Sequence, residues 1–394
     1  MTVRRLPPVY SPITLRALLA GAAGVFRADQ RHHILERVAA EWASRDCLLT
    51  GSGTAALTLA LRASIEEKPP LVALPAYGCY DLATAADGAN CKVVLYDLDP
   101  ETLGPRADSL QGALALEPAA VVLVHQYGIP VDATALRTQC DAVGAVIIED
   151  AAQAVGASLR SKPLGSFGSL AVLSFGRGKG LTGGSGGALL ANDAEGTTLL
   201  SRIRKSLQNG EAGWGDLIRA GAQWLLGRPG VYAIPAALPF LRLGETIYHE
   251  PAALTGLSKA AAPMLESVWV RSLEAAATRR ANAAVLLETA RKNNFWRTID
   301  VAADAQPGYL RLPLLPTNAD QKSVLNEPAV QLGITPGYPM SLVQLPGFRD
   351  RCVNLADRFP GATLLSKRLI TLPTHALLNA NDCSHLARWL SEQN

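Results

Sequence analysis

The chain has 394 residues, of which 48% are hydrophobic and 18% charged. That is ample apolar material for a sizeable core, and it excludes a disordered or collagen-like chain. The 37 Lys and Arg against 34 Asp and Glu leave only +3, so bulk charge gives no reason to expect a nucleic-acid partner.

In chain order, short apolar runs predict strands at 71–74, 92–96, 120–125, 145–148, 171–175 and 188–191. Helical patterns fall between the early ones, at 54–64, 79–86 and 132–143. Strand–helix alternation with nearly continuous apolar strands implies an α/β fold, in which a buried, mostly parallel sheet lies between helices. The character changes near residue 205. Residues 211–250 are unusually apolar, with Trp214, Trp224, Leu225, Ile234, Leu238, Phe240 and Leu241 among them. Arg219, Arg228 and Arg242 punctuate the segment, and Pro229, Pro235 and Pro239 limit its helices to short pieces. Two readings fit: short helices buried at a dimer interface, or an in-plane membrane contact or cover over a greasy, lipid-linked substrate. A long helix is predicted over 264–292, and a last one over 385–393. The division is a large α/β domain, 1–250, and a smaller α+β domain, 251–394. No apolar run reaches the roughly 20 residues of a bilayer span, and no apolar stretch directly follows the N-terminal arginines as in a signal peptide. Six dispersed cysteines without a C-x-x-C pair fit a reduced, cytoplasmic protein.

Three motifs could carry chemistry. Gly51-Ser52-Gly53-Thr54 opens a helix, where backbone N–H groups and the helix dipole favour an anion such as phosphate. The same residues also suit a plain glycine turn with a Thr N-cap. Val146-Ile147-Ile148-Glu149-Asp150-Ala151-Ala152-Gln153 puts Asp150 at the carboxyl end of a strand, where ligands of open α/β sheets sit. A carboxylate there can hold a protonated ring nitrogen, and the small Ala151-Ala152 pair lets a flat ring approach; a helix-capping Asp is the ordinary alternative. Finally, Ser174-Phe175-Gly176-Arg177-Gly178-Lys179-Gly180-Leu181-Thr182-Gly183-Gly184-Ser185-Gly186-Gly187 holds the sole lysine between Lys162 and Lys205. A lysine desolvated beside a cofactor becomes a nucleophile or Schiff-base former. A Walker-type loop is excluded because Gly180 follows the lysine where Ser or Thr is required. A solvated surface loop remains the plain alternative.

In this order the three motifs resemble the DegT/StrS-type sugar aminotransferases, pyridoxal-phosphate (PLP) enzymes of fold type I. Further resemblance lies in Asp97-Leu98-Asp99-Pro100, in His125-Gln126-Tyr127-Gly128 with Asp132, and in Leu164-Gly165-Ser166-Phe167-Gly168. It runs almost continuously from about 45 to 195 and is patchier beyond. The resemblance implies a seven-stranded, mostly parallel sheet and a homodimer. It implies that Lys179 bonds the cofactor and then moves the proton, and that Asp150 pairs with the ring nitrogen. It implies that Ser174, Gly53 and Thr54 hold the phosphate, that Gln153 meets the ring 3′-oxygen and that Ala152 lies against the ring face. Its implied substrates are an amino-acid donor, expected to be glutamate, and a nucleotide-linked keto-sugar of polysaccharide or glycosylated-metabolite biosynthesis. A non-sugar or lipid-linked ketone, or a non-catalytic PLP-binding relative, are the rival readings; Lys179 argues against the dehydratase branch, which carries His there.

Three departures stand out, one of them that residues 211–250 look unlike the family's usual flexible hairpin. The family's ring-stacking aromatic aligns without gaps to Cys79, and Tyr80, one residue on, is predicted to take its role. The family's G-x-N-x-R segment, which reaches the neighbouring subunit's phosphate, is not recognisable near 245–265, where Leu254-Thr255-Gly256-Leu257-Ser258-Lys259 stands. His125 ends a strand beside the site, where it could touch substrate or simply be hydrogen-bonded. His375 reads as structural, and no residue cluster has metal-ligand spacing.

Overall fold

The structure is a computed structural model that describes residues 4–237 and 246–393. Helices α1 (Leu15–Phe26) and α2 (Arg31–Trp42) precede the first strand, β1 (Asp46–Thr50). The alternation then runs α3 (Gly53–Ile65), β2 (Leu71–Pro75), α4 (Asp81–Ala89), β3 (Lys92–Tyr96), α5 (Ala107–Leu114), β4 (Ala120–Val124), α6 (Ala133–Ala142) and β5 (Val146–Asp150). A small ribbon, β6 (Ser158–Leu159) and β7 (Lys162–Pro163), leads to β8 (Leu170–Ser174), β9 (Gly187–Ala191) and α7 (Ala194–Ile203).

These strands make a seven-stranded sheet in the order β1-β9-β8-β5-β4-β2-β3. The five strands from β8 to β3 run parallel, and β9 is antiparallel to both neighbours. The expected mostly parallel sheet is therefore present, with its strands buried as a parallel sheet requires. The strand β1 escaped the sequence reading because its apolar stretch is only Cys47-Leu48-Leu49. Its place is fixed by pairing with a strand far along the chain, Asp46 opposite Ala191.

Beyond the sheet come α8 (Trp214–Leu226), α9 (Ala233–Ala236) and the long α10 (Ala261–Arg291). The proline-limited segment thus does form short helices. Leu238, Pro239, Phe240, Leu241 and Arg242 of that expectation lie outside the described residues. The remainder is β10 (Trp296–Thr298), β11 (Ala305–Gln306), β12 (Leu312–Pro316), α11 (Gln321–Val324), α12 (Glu327–Gln331), β13 (Thr335–Pro336), α13 (Pro360–Arg368), β14 (Ile370–Leu372) and α14 (Ala380–Ser391). A four-stranded antiparallel sheet, β10-β12-β14-β13, buries Leu312, Leu314, Ile370 and Leu372 against Leu286 of α10 and Trp389 of α14. Helix α14 starts five residues before the predicted 385, because Asn379 and Asp382 form a reciprocal capping box there.

The N-terminal segment crosses between the two sheets. Arg4 pairs with Asp382 at 2.7 Å, Leu6 N–H donates to the Gln331 carbonyl, and His375 Nε2 donates to the Pro7 carbonyl at 2.8 Å. The segment then reaches the lysine loop through Ser11.

Candidate active site

The site forms where the parallel strands end. One cavity is lined by Gly53, Thr54, Leu57, Cys79, Asp81, Asp150, Ala152, Gln153, Val172, Ser174 and Lys179. Seven residues singled out from sequence, spread over 127 positions from Gly53 to Lys179, therefore share one wall.

The anion corner is built by close backbone approach. Helix α3 begins at Gly53, and Ser52 rather than Thr54 is its N-cap: Ser52 Oγ accepts from Ala55 N–H at 3.0 Å. The Thr54 side chain is thereby left available to a ligand. Ser174, at the end of β8, faces this corner so tightly that a Cβ on Gly53 would lie 2.6 Å from the Ser174 Cβ. Only glycine fits there. The orphan N–H groups of the first helical turn, the dipole and two hydroxyls make an anion cradle.

Asp150 ends β5. Its Oδ1 accepts from the Ala152 N–H at 3.0 Å, which fixes the carboxylate at the strand end. Burial pushes its pKa up, while the Ala152 N–H and the Lys179 charge oppose that shift. Among the described residues no donor reaches Oδ2, so one oxygen remains for a ring nitrogen. Gln153 is braced from both sides: its Oε1 accepts from Tyr127 N–H at 3.2 Å and its Nε2 donates to Tyr338 Oη at 2.8 Å.

Lys179 sits in the loop between β8 and β9, where Gly178, Gly184 and Gly186 take positive φ. The loop is pinned on both sides of the lysine by buried Ser11, whose hydroxyl accepts from Gly178 N–H at 3.0 Å and donates to the Lys179 carbonyl at 3.1 Å. Ser11 was not found from sequence; its partners lie 167 and 168 residues away, so no local pattern could reveal it.

Two sequence expectations are corrected. Tyr80 does not line the cavity: it is buried at the start of α4, and its hydroxyl finds no partner among the described residues. Cys79 takes the wall position, as the ungapped alignment had it, with Sγ 3.5 Å from Asp81 Oδ2. Burial pushes the Cys79 thiol upward, so it faces the site as a neutral group. The second correction is His125, which is fully buried and off the cavity. Its Nδ1 accepts from Val131 N–H at 3.1 Å, which leaves Nε2 to donate to Glu149 Oε1 at 2.9 Å. Glu149 also accepts from the N–H groups of Gly165, Phe167 and Gly168. Burial opposes ionisation, yet His125 and these backbone donors hold the Glu149 pKa below the ordinary value. The pair positions the chain on the strand's far side and touches no ligand space.

Sequence reasoning also missed an aromatic and cationic shelf beside Gln153. Tyr127 stacks on Tyr338 at 5.9 Å, and Tyr77 meets Tyr338 edge-on at 5.4 Å. Tyr127 holds φ at +57°, a strained conformation for a bulky residue. Arg311 lies among these phenols. Burial lowers its pKa to about 10, with Tyr127 and Tyr338 acting in the opposite sense. Its Nε is buried without a hydrogen-bond partner among the described residues, which is costly for a guanidinium unless an anion completes it.

Comparison with known proteins agrees with this geometry. The profile of the DegT/DnrJ/EryC1/StrS aminotransferase family matches residues 20–216. Among curated proteins, an L-glutamine:2-deoxy-scyllo-inosose aminotransferase of Streptomyces kanamyceticus is 37% identical over 147 residues, which is 37% of this chain and 34% of that relative. A dTDP-4-dehydro-2,3,6-trideoxy-D-glucose 4-aminotransferase of Saccharopolyspora spinosa is 36% identical over 159 residues, 40% of each. The aligned stretch thus spans little more than a third of these relatives' length. Among solved structures, the sugar aminotransferase CalS13 of Micromonospora echinospora superposes with a TM-score of 0.75 at 22% identity, covering 99% of this chain and 100% of that one, and so shares the fold. The chain belongs to the DegT/DnrJ/EryC1/StrS aminotransferase family.

Proposed function

We propose that this protein is a PLP-dependent aminotransferase that moves an amino group from an amino acid to the carbonyl of a sugar or cyclitol ketone. The observation that carries the reading is the single cavity in which Lys179, Asp150, Ser174, Gly53, Thr54, Ala152 and Gln153 converge. The donor set fits the cofactor: an anion cradle at Gly53, Thr54 and Ser174, a half-satisfied carboxylate on Asp150, and a small side chain, Ala152, where a flat ring needs room.

When bound, the cofactor supplies an electron sink for the donor's α-carbon. The chain supplies the rest. The cradle fixes the phosphate end, and Asp150 keeps the ring nitrogen protonated. Lys179 Nζ would hold the cofactor at rest and, as a free amine beside the donor's α-carbon, would move its proton as general base and acid. Gln153, braced by Tyr127 and Tyr338, is oriented toward the ring 3′-oxygen. The Arg311 guanidinium supplies the countercharge for the donor's carboxylate. That its Nε has no hydrogen-bond partner among the described residues supports that role.

The expected donor was glutamate. The name of the Streptomyces kanamyceticus relative makes glutamine an equal candidate, so the donor is proposed as glutamate or glutamine. The two relatives' names span a free cyclitol ketone and a nucleotide-linked keto-sugar, and both acceptor types remain within the proposal. A homodimer is part of the reading, resting on the family resemblance. At the position of the family's cross-subunit motif, Thr255 is held by its own chain: the Gly51 N–H donates to the Thr255 carbonyl at 2.6 Å.

The test is the visible spectrum of the purified protein supplied with PLP. A band that borohydride abolishes, that glutamate or glutamine bleaches, and that Lys179→Ala lacks supports the reading. No band after PLP is added overturns it in favour of a non-catalytic relative. A band indifferent to both amino acids keeps the cofactor and overturns the donor.

A further inference from the structure

Helices α1 and α8 present an apolar surface that the aminotransferase reading does not use. On α8, Trp214, Ile218 and Leu225 are exposed, Ile218 by 73%. On α1, Leu15, Leu19 and Phe26 are exposed, Leu19 by 63% and Phe26 by 79%. Each trio has the spacing i, i+4, i+11, which at about 100° per residue places its three side chains within about 40° on one face. The two stripes adjoin. Phe26 meets Trp214 edge-on at 5.6 Å, and the inner sides of both helices share a small core with Ile13, Ala220 and Met264. Six large apolar side chains therefore stand out from one two-helix surface, where isolated ones would be ordinary.

Among the described residues, exposed arginines outnumber exposed carboxylates around this surface: Glu211 stands before α8, and Asp29, past α1, is paired with Arg31. Helix α1 has no acidic residue, and the sole acidic residue of α8, Asp216, is buried and paired with Arg219. Arg16 of α1 and Arg27 and Arg228, just past the two helices' C-terminal ends, are exposed. The Arg228 guanidinium lies 4.4 Å from the Trp224 ring centroid. We propose that α1 and α8 form a platform that docks in the plane of an anionic lipid surface. Aliphatic and aromatic side chains enter the headgroup boundary, and long arginines on the flanks reach the phosphates. No helix among the described residues is long and apolar enough to cross a membrane, so the contact is peripheral.

This inference is independent of the chemistry proposed above. Its test is co-sedimentation of the PLP-loaded protein with vesicles of equal phosphatidylglycerol and phosphatidylcholine, against pure phosphatidylcholine. Binding is expected to the anionic vesicles, and to weaken at least tenfold in about 0.5 M salt. The double variant Leu19→Ser/Ile218→Ser should lose at least tenfold in binding while its unfolding temperature stays put, both side chains being exposed. Brominated acyl chains should quench a fluorescence component that Trp214→Phe removes. Absence of sedimentation with anionic vesicles, or equal binding by the double variant, overturns the proposal. A fall in molar mass of the double variant by light scattering also overturns it and assigns the face to a second copy.

Discussion

The strand-end cavity and the α1–α8 platform break opposite rules of protein construction. The cavity and the phenol shelf beside it bury charge: desolvation shifts the Asp150 carboxyl in the one and the Arg311 guanidinium in the other, and Arg311 Nε has no hydrogen-bond partner among the described residues. The platform exposes apolar side chains that a stable core would take in. The strands of the main sheet, by contrast, are conventional, aliphatic and buried. Local inconsistency of this kind collects where function has displaced stability. The lesson is that the two sites are found by opposite searches, one for buried polar atoms and one for exposed apolar ones.

Three experiments sharpen that comparison. The largest effect is expected from Gly53→Ala. Its Cβ would overlap the Ser174 Cβ, which is too near the backbone to swing aside. A shift approaching 1 Å in a positioned group costs on the order of 100-fold. The rate at which the amino donor bleaches the visible band should fall by about that factor, while vesicle binding stays unchanged. If both fall together, cavity and platform are not separate.

Next is Glu149→Gln. An amide in place of the carboxylate makes two of the four donors, His125 and the three backbone N–H groups, face an N–H instead of an acceptor, which costs about 1–3 kcal/mol each. Denaturant unfolding should show that loss. The band should persist if sufficient folded protein remains, because neither residue lines the cavity.

The smallest effect is a pH dependence. Burial depresses the His375 pKa from 6.5 to about 4. The folded state therefore favours neutral His375. The stability it adds is fully present above pH 6.5 and declines as pH falls toward 4. The whole window amounts to about 3 kcal/mol. His375→Gln should flatten the unfolding free energy between those pH values.

Much of the sheet and most of the cavity were legible, and the reason is local. Strands β2 to β5 are short apolar runs bounded by turn residues, so periodicity finds them. Asp150 and Lys179 stand in motifs whose chemistry is written in adjacent letters. What was not legible depends on contacts across the chain. The edge strand β1 is defined by β9, and Ser11 acts on a loop more than 160 residues away. Arg311 reads as an ordinary strand-edge residue until the phenols of Tyr127 and Tyr338 surround it. His125 and Tyr80 show the converse limit. Sequence placed both near the site, but a strand end or helix start fixes position along the chain and not which way the side chain turns. His125 turned toward Glu149, and Tyr80 turned into the core.

The N-terminal segment has a consequence for the order of events at the ribosome. Arg4 and Pro7 are made 378 and 368 residues before their partners Asp382 and His375. Until then those contacts cannot steady the segment that carries Ser11, and Ser11 clasps the backbone on both sides of Lys179. The strands of the sheet can pair while the chain is still growing, but the full clasp on the lysine loop waits for residues made long after the loop itself. A nascent chain that stops short of Asp382 carries its lysine loop less firmly fastened.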